Sequence, residues 1–409
     1  MTTSQTVKIL LIFGPILLRP DLMTKKLGEI TANMDKNWKL FILTGHLPKQ
    51  YKALFNLSCL FEFNSVTLFG SSKSPFARIL YLLNCIIKGV KIVKEQNIHV
   101  ITQHDGHLEY GIIAYFISRL THRKCLIRIN EDTLIPLIYF LRASGIRLFN
   151  KKSVLKFITY IYRKIEIEFL KHVDWIITHG PMDFKKFKRV NNRITFVPLW
   201  VDFTKFNHID KEIISQFRSK FVTKKNVKLL LFVGRLHPEK GIPTLLRALK
   251  VLNNMKYLLL LVYSFSDYKA EYEKLAEKLK ISDKIRFIGY VPHDELSYYY
   301  NSADLSILPS IREEWSNTIM ESMACKTIII ASDVGANPYL IDDGISGLLF
   351  QSENYLDLAQ KIKFVFTNPA LSRKIEETAL KKIKAYDKEK IGELYKNVVK
   401  KLIFKYFNS

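Results

Sequence analysis

Cysteine is scarce in this chain of 409 residues: Cys59, Cys85, Cys125 and Cys325 are the four present, each inside an apolar stretch and without paired spacing. A disulfide scaffold is excluded and a zinc site is not expected, so all four read as reduced core thiols. Proline numbers 13 and glycine 16, too few for a collagen-like or low-complexity chain, and no internal repeat occurs. Long apolar runs are missing as well. The longest, such as Ile9–Phe13 and Leu258–Tyr263, fall far short of the roughly 20 residues a membrane-spanning helix needs. The opening VKILLIFGPILL superficially resembles a secretory signal, but no small-residue cleavage site follows and Arg19 and Asp21 come next, so a buried first strand is expected there.

Negative charge is the other shortage. Asp and Glu total 38 against 63 Lys and Arg, a formal net charge of +25, of which residues 1–200 hold +17 and the remainder +8. A field of that size favours anionic partners such as nucleic acid, phosphorylated substrates or anionic lipid. Nucleic acid is not expected, because no recognition helix or base-stacking platform accompanies the basic residues.

What is present is a globular composition, 48% hydrophobic, over a length that suits two domains. Short β-branched runs alternate with longer amphipathic segments, the pattern of parallel sheets covered by helices. Strands are predicted at Val7–Phe13, Lys39–Leu43, Val100–Gln103, Cys125–Ile129, Trp175–Thr178 and Thr195–Val197. A second set follows at Lys228–Val233, Tyr257–Tyr263, Ile285–Ile288, Leu305–Leu308, Thr327–Ala331 and Gly347–Phe350. Between the sets, VPLWVDFTKFNHID carries Pro198, Asp202 and Asn207, turn residues that place the boundary near 200–208. The domains are therefore drawn as 1–202 and 203–387, with a basic amphipathic helix over 388–409 expected to pack back on the first. Residues 142–171 read as basic, aromatic-rich helical segments, either ordinary solvated faces or a surface that rests on anionic headgroups.

Two segments carry candidate chemistry. In LLLFVGRLHPEKGIPTLLRALK, a strand ends at Val233, Gly234 permits a close turn, and Arg235 and Lys240 follow at the strand's carboxyl edge before a helix near Pro243. Ligands of open α/β sheets bind outside that edge, and two cations beside a helix start suit a diphosphate, although the same pair fits solvated loop charges. In ADLSILPSIREEWSNTIMESMAC, Glu313 precedes a helix predicted over about 317–325 and Glu321 lies inside it. A carboxylate so placed can accept two hydrogen bonds from a vicinal diol such as a ribose, while the amides of Ser316, Asn317 and Thr318 are helix-start donors open to a phosphate. Thr318 and Glu321 also fit a capping box, which would make Glu321 structural.

The ordered set VGRLHPEKG, RFIGYV, ADLSILPS, Glu313 with seven residues to Glu321, SMAC, SDVG and DDGISGLLF resembles the retaining glycosyltransferases of family 4. The resemblance is strong over about 195–352 and implies an α/β chain of GT-B fold, two Rossmann-like domains facing across a cleft. It implies transfer of a sugar from a nucleotide-diphosphate sugar to a hydroxyl acceptor, a lipid-linked or cell-surface glycan precursor, with retention, no metal and no cofactor. By position, Arg235 and Lys240 match the pyrophosphate-binding pair, Glu313 the residue beside the transferred sugar and Glu321 the ribose ligand. Arg286 to Tyr290 match the main chain that cradles the base. This chain departs from the pattern with Glu314 and Ser316 where glycine is usual, Ile328 for proline and Tyr339 for an acid. Lys326 likewise replaces glycine at a helix end, where a left-handed conformation is expected. In the first half, Gly14 remains of a glycine pair and Asn130 stands where a histidine is common, with Glu131 or Asp132 as substitutes; His104, Asp105 and His107 are further candidates for acceptor or sugar contact. A cytoplasmic protein, peripheral on the inner face of the membrane, is the expected setting. A GT-B-shaped membrane-surface protein without turnover is the alternative.

Overall fold

The computed structural model describes residues 7–12, 38–44, 61–65, 75–103, 108–129, 152–224, 226–252, 254–264 and 268–407. Gly14, His104, Asp105, His107, Asn130, Glu131 and Asp132 lie outside the described residues, as does Cys59. The chain divides into two units: residues 1–198 with 391–409, and residues 199–390.

In the first unit seven short strands assemble: β1 (Val7–Ile12), β2 (Trp38–Thr44), β3 (Phe61–Ser65), β4 (Val100–Gln103), β5 (Lys124–Ile129), β6 (Trp175–Thr178) and β7 (Ile194–Phe196). Their order is β3-β2-β1-β4-β5-β6-β7, parallel throughout. β3, with sequence FEFNS, is a strand that the apolar runs did not indicate. Between strands run α1 (Pro75–Gln96), α2 (Leu108–Thr121), α3 (Lys152–His172) and α4 (Pro181–Lys188). Their apolar faces join Leu10, Ile12, Ile101, Cys125 and Ile127 in one core. Cys85, Cys125 and Cys325 are free and buried.

The second unit repeats the plan with β8 (Lys228–Val233), β9 (Tyr257–Val262), β10 (Ile285–Gly289), β11 (Leu305–Leu308), β12 (Ile329–Ser332) and β13 (Leu348–Phe350), ordered β10-β9-β8-β11-β12-β13. Every residue of β9, YLLLLV, is buried, because a parallel sheet covered on both faces needs a continuous apolar run rather than alternation. Helices α5 (Lys211–Ser219), α6 (Ile242–Val251), α7 (Lys269–Lys278), α8 (Leu296–Ser302), α9 (Asn317–Ala324), α10 (Asn337–Leu340), α11 (Tyr355–Thr367) and α12 (Pro369–Ile383) cover it. Leu245, Leu249, Leu358 and Ile362 from these helices meet Leu230, Leu259 and Ile307 from the strands. The last helix, α13 (Lys388–Phe407), buries Tyr395, Val398, Val399 and Leu402.

Both sheets follow the doubly wound Rossmann order, which reverses direction between β1 and β4 and again between β8 and β11. Such reversal points open a crevice at the strands' carboxyl ends, where ligands of this fold class bind. The loops after β8 and β11 therefore stand at the place where the second unit is expected to hold its ligand.

Candidate active site

The loop after β8 is built to meet the loop after β11. His237 caps a short 3₁₀ turn, Pro238–Lys240, and Gly241 follows with φ 63° at the start of α6. A side chain at Gly241 would overlap the carbonyl oxygen of Pro309, so glycine is needed both for the left-handed turn and for the close approach. The loops are tied at the backbone by the Ile311 amide donating to the Glu239 carbonyl at 2.7 Å. Gly335, φ 56°, packs in the same way against the carbonyl of Glu313.

This contact brings Lys240 and Glu313, 73 positions apart, into an ion pair in which both side chains are largely buried. Ser310 adds a hydroxyl that donates to Glu313 Oε1 at 2.7 Å. Arg235 is exposed and has no ion-pair or hydrogen-bond partner among the described residues. Of the two cations expected to face a diphosphate, one is thus free and the other is held by a carboxylate.

Glu321 is organised differently. It lies in α9 and is 7% exposed. Its Oε2 accepts from the Tyr300 hydroxyl at 3.0 Å and its Oε1 from His293 Nε2 at 2.8 Å. Burial and the adjacent carboxylate push the Tyr300 phenol well above its ordinary range, so it remains a donor. The capping box does not form. Ser316 is the N-cap of α9, accepting from the Ile319 amide at 3.4 Å, and the Thr318 hydroxyl donates instead to the Val233 carbonyl at the end of β8, 3.2 Å away. That last bond places the start of α9 beside the turn at Gly234. Trp315 is turned inward, its indole N–H donating to Met320 Sδ at 3.3 Å and its ring against Tyr386.

Sequence reasoning missed Tyr300, His293 and Ser310. Ser310 ends the motif ADLSILPS, but Tyr300 sits in an aromatic run that reads as core and His293 in a turn. The stretch expected to cradle a base forms β10 at the sheet edge, ending in Gly289 at φ 88°. Lys326 adopts the left-handed conformation expected of it, φ 57°. Among the described residues no group of three or more His, Cys, Asp or Glu is placed to hold a metal ion.

Residues 214–382 match the family model described as glycosyl transferases group 1. That match lies within the second unit. In sequence the chain is 33% identical over 166 residues to a D-inositol 3-phosphate glycosyltransferase of Mycolicibacterium smegmatis, covering 40% of this chain and 38% of that protein. The matched stretches span less than half the length of the curated relatives. The fold extends further. A sucrose-phosphate synthase from Thermosynechococcus elongatus superposes with a TM-score of 0.76 at 19% identity, over 98% of this chain and 100% of that one. A protein of Anabaena, HepE, solved in complex with UDP-glucose, superposes with a TM-score of 0.72 at 16% identity, over 96% and 99%. The chain thus has the GT-B fold, shared with these structures.

Proposed function

We propose that this chain is a retaining, family 4 type glycosyltransferase that moves a hexosyl group from a nucleotide-diphosphate sugar to a hydroxyl acceptor, without a metal or other cofactor. The observation that carries the reading is the meeting of Lys240, Glu313 and the start of α9 at the carboxyl edge where the second sheet reverses. Two supports stand beside it: the match to group 1 glycosyl transferases over this same stretch, and the likeness in fold to a protein that binds UDP-glucose.

In this reading Arg235 and Lys240 neutralise the diphosphate, Ser316, Asn317 and Thr318 offer helix-start amides to it, Gly234 lets it approach, Glu321 takes the ribose diol and Glu313 orients the sugar. Lys240 then has two partners to serve, so it passes from Glu313 toward the diphosphate and leaves Glu313 for the sugar hydroxyls. The bond from the anomeric carbon to the phosphate oxygen breaks, the acceptor oxygen bonds to the same face, and the departing phosphate takes the acceptor's proton. A well-placed cation contributes about 3–4 kcal/mol to such a step.

The acceptor fits a lipid-linked or cell-surface glycan precursor, met by a cytoplasmic enzyme at an anionic membrane surface. Its support is α3, where Phe157, Tyr160, Ile161 and Ile165 fall on one stripe and are all exposed, with exposed Lys156 and Lys164 beside them. Phe116 and Leu120 of α2 are exposed as well. No helix among the described residues is long and apolar enough to cross a membrane, so contact would be at the surface, each basic residue contributing about 1 kcal/mol.

Calorimetry of nucleoside diphosphate binding to the full chain, with Glu321→Gln as the comparison, tests the donor site: an unchanged affinity overturns it. Slow hydrolysis of a nucleotide sugar by the purified protein is expected, and its absence favours a GT-B-shaped binding protein without turnover. Equal binding to neutral and anionic vesicles removes the membrane reading.

A further inference from the structure

Glu321 is held by a phenol and an imidazole, and both belong to a single packed cluster. Tyr300 is fully buried on α8. His293 opens a short 3₁₀ turn at the start of that helix. Phe206, from the segment that begins the unit, is 1% exposed and packs edge-on against both rings, at 5.0 Å from His293 and 6.1 Å from Tyr300. A nitrogen 2.8 Å from a carboxylate oxygen carries its proton, so His293 donates through Nε2. Each oxygen of Glu321 therefore receives one donor from within the protein. A carboxylate oxygen has room for a second.

A free carboxylate on a helix rotates about three side-chain bonds, and orienting two of its lone pairs at once toward a diol is unfavourable in entropy. Two donors fixed within the protein remove that freedom before a ligand arrives. We infer that Tyr300 and His293 are positioning residues for nucleotide recognition: by holding both oxygens of Glu321 they aim its remaining lone pairs at a vicinal diol, and so set the preference for ribonucleotide over deoxyribonucleotide donors. The inference rests on the reading of Glu321 as the ribose ligand and adds the residues that make it selective. Nothing in the local sequence joins the three, since Tyr300 is 21 and His293 28 positions from Glu321.

The test is calorimetric, on the full chain, with whichever of UDP, GDP, ADP and CDP binds the wild type most tightly and with its 2′,3′-dideoxy counterpart. The wild type is expected to favour the diol by about 10-fold to 100-fold, the worth of one to two hydrogen bonds to a charged group. Tyr300→Phe, which removes one oxygen, is expected to lower affinity for the ribonucleotide about 10-fold while leaving the dideoxy nucleotide within about twofold. His293→Ala should act in the same direction, and His293→Gln, whose amide can donate from a similar position, should restore most of the loss. Thermal melting of each variant guards against unfolding, and each substitution is read on its own, so one is informative where the other is unstable. Equal losses for both nucleotides, or a diol preference that survives in all three variants, overturns the inference and leaves the reading of Glu321 intact. A wild type that binds both nucleotides alike, or neither, overturns the reading of Glu321 and the inference with it.

Discussion

The two units share a strand order, yet they treat a buried cation near the carboxyl edge of the sheet in opposite ways. In the second, Lys240 meets a carboxylate, Glu313. In the first, Arg128, the penultimate residue of β5 and 8% exposed, meets none among the described residues. Its guanidinium donates to His179 Nε2 at 3.2 Å and lies over the Tyr395 ring at 5.5 Å, while its Nε has no partner. His179 in turn donates from Nδ1 to the Val197 carbonyl at 2.6 Å, which fixes the tautomer and leaves Nε2 as an acceptor. A charge answered by a base and a π-face requires that base to stay neutral. A charge answered by a carboxylate requires the carboxylate to stay ionised. The same topology therefore gives two units with different responses to acid.

The largest expected effect is on the first unit. Burial, with the Arg128 charge second, lowers the His179 pKa from 6.5 to about 3. Below pH 6.5 the unfolded chain binds a proton that the folded chain refuses, so stability falls as pH drops through the window from 6.5 to about 3, by roughly 5 kcal/mol in full. Hydrogen exchange at pH 7 and pH 4.5, corrected for intrinsic rates, should show protection of β5, β6 and β7 falling by about 3 kcal/mol while β8 and β9 change far less. In His179→Asn that acid loss should vanish; if it persists, His179 is not its source.

Next is the ion pair. Lys240→Met leaves Glu313 in a largely buried place without its cation, an expected loss of about 3 kcal/mol in denaturant unfolding of the second unit. Adding Glu313→Gln should recover most of it, because removing both charges is far cheaper than removing one. If the single variant is neutral, the pair is too well solvated to matter and the contrast between the units weakens.

A smaller effect sharpens the contrast from the other side. Glu376 on α12 is half-buried, and desolvation, with Arg373 opposing, raises its pKa from 4.5 to about 7. The folded state then holds a proton that the unfolded state has lost, so this group's effect on the second unit is to lower stability as pH rises from 4.5 through about 7, opposite in sign to His179. Solvent screening makes the slope shallow. Glu376→Gln should flatten it, as read from melting temperatures across that window.

How much of this was legible follows from what is local. Fully buried strands announce themselves as apolar runs, and β8, β9 and β11 begin where expected. β3 did not, because Phe61, Glu62, Phe63, Asn64 and Ser65 form a short, half-polar strand at the sheet edge. β12 starts two residues later than the run TIIIA suggests, since the Thr327 amide is still engaged at the end of α9, donating to the Ser322 carbonyl at 2.9 Å. Arg235, Lys240, Glu313 and Glu321 could be named from the order of motifs. That Lys240 would pair with Glu313 could not, because it depends on β8 lying next to β11. His293 and Tyr300 were hidden for the same reason: a side chain that reaches Glu321 across the fold looks, in sequence, like any residue of a turn or an aromatic helix face.

The smallest expected effect concerns the one strained position that was legible. Lys326 closes α9 in a Schellman motif: its own amide donates to the Met323 carbonyl at 3.2 Å and the Thr327 amide to the Ser322 carbonyl at 2.9 Å. The motif needs a left-handed residue, and a lysine there costs about 1 kcal/mol relative to glycine. Lys326→Gly should therefore stabilise the second unit by about 0.5–1 kcal/mol, part of the gain being offset by glycine's freedom in the unfolded chain. Lys326 also lowers the Glu376 pKa, so its removal should shift the Glu376 titration upward and extend the upper end of the stability loss toward higher pH, its onset staying at the unfolded value. A melting temperature that falls in Lys326→Gly would mean that the lysine makes a favourable contact exceeding the strain, and the pairing of charges in the second unit would then extend to the end of α9.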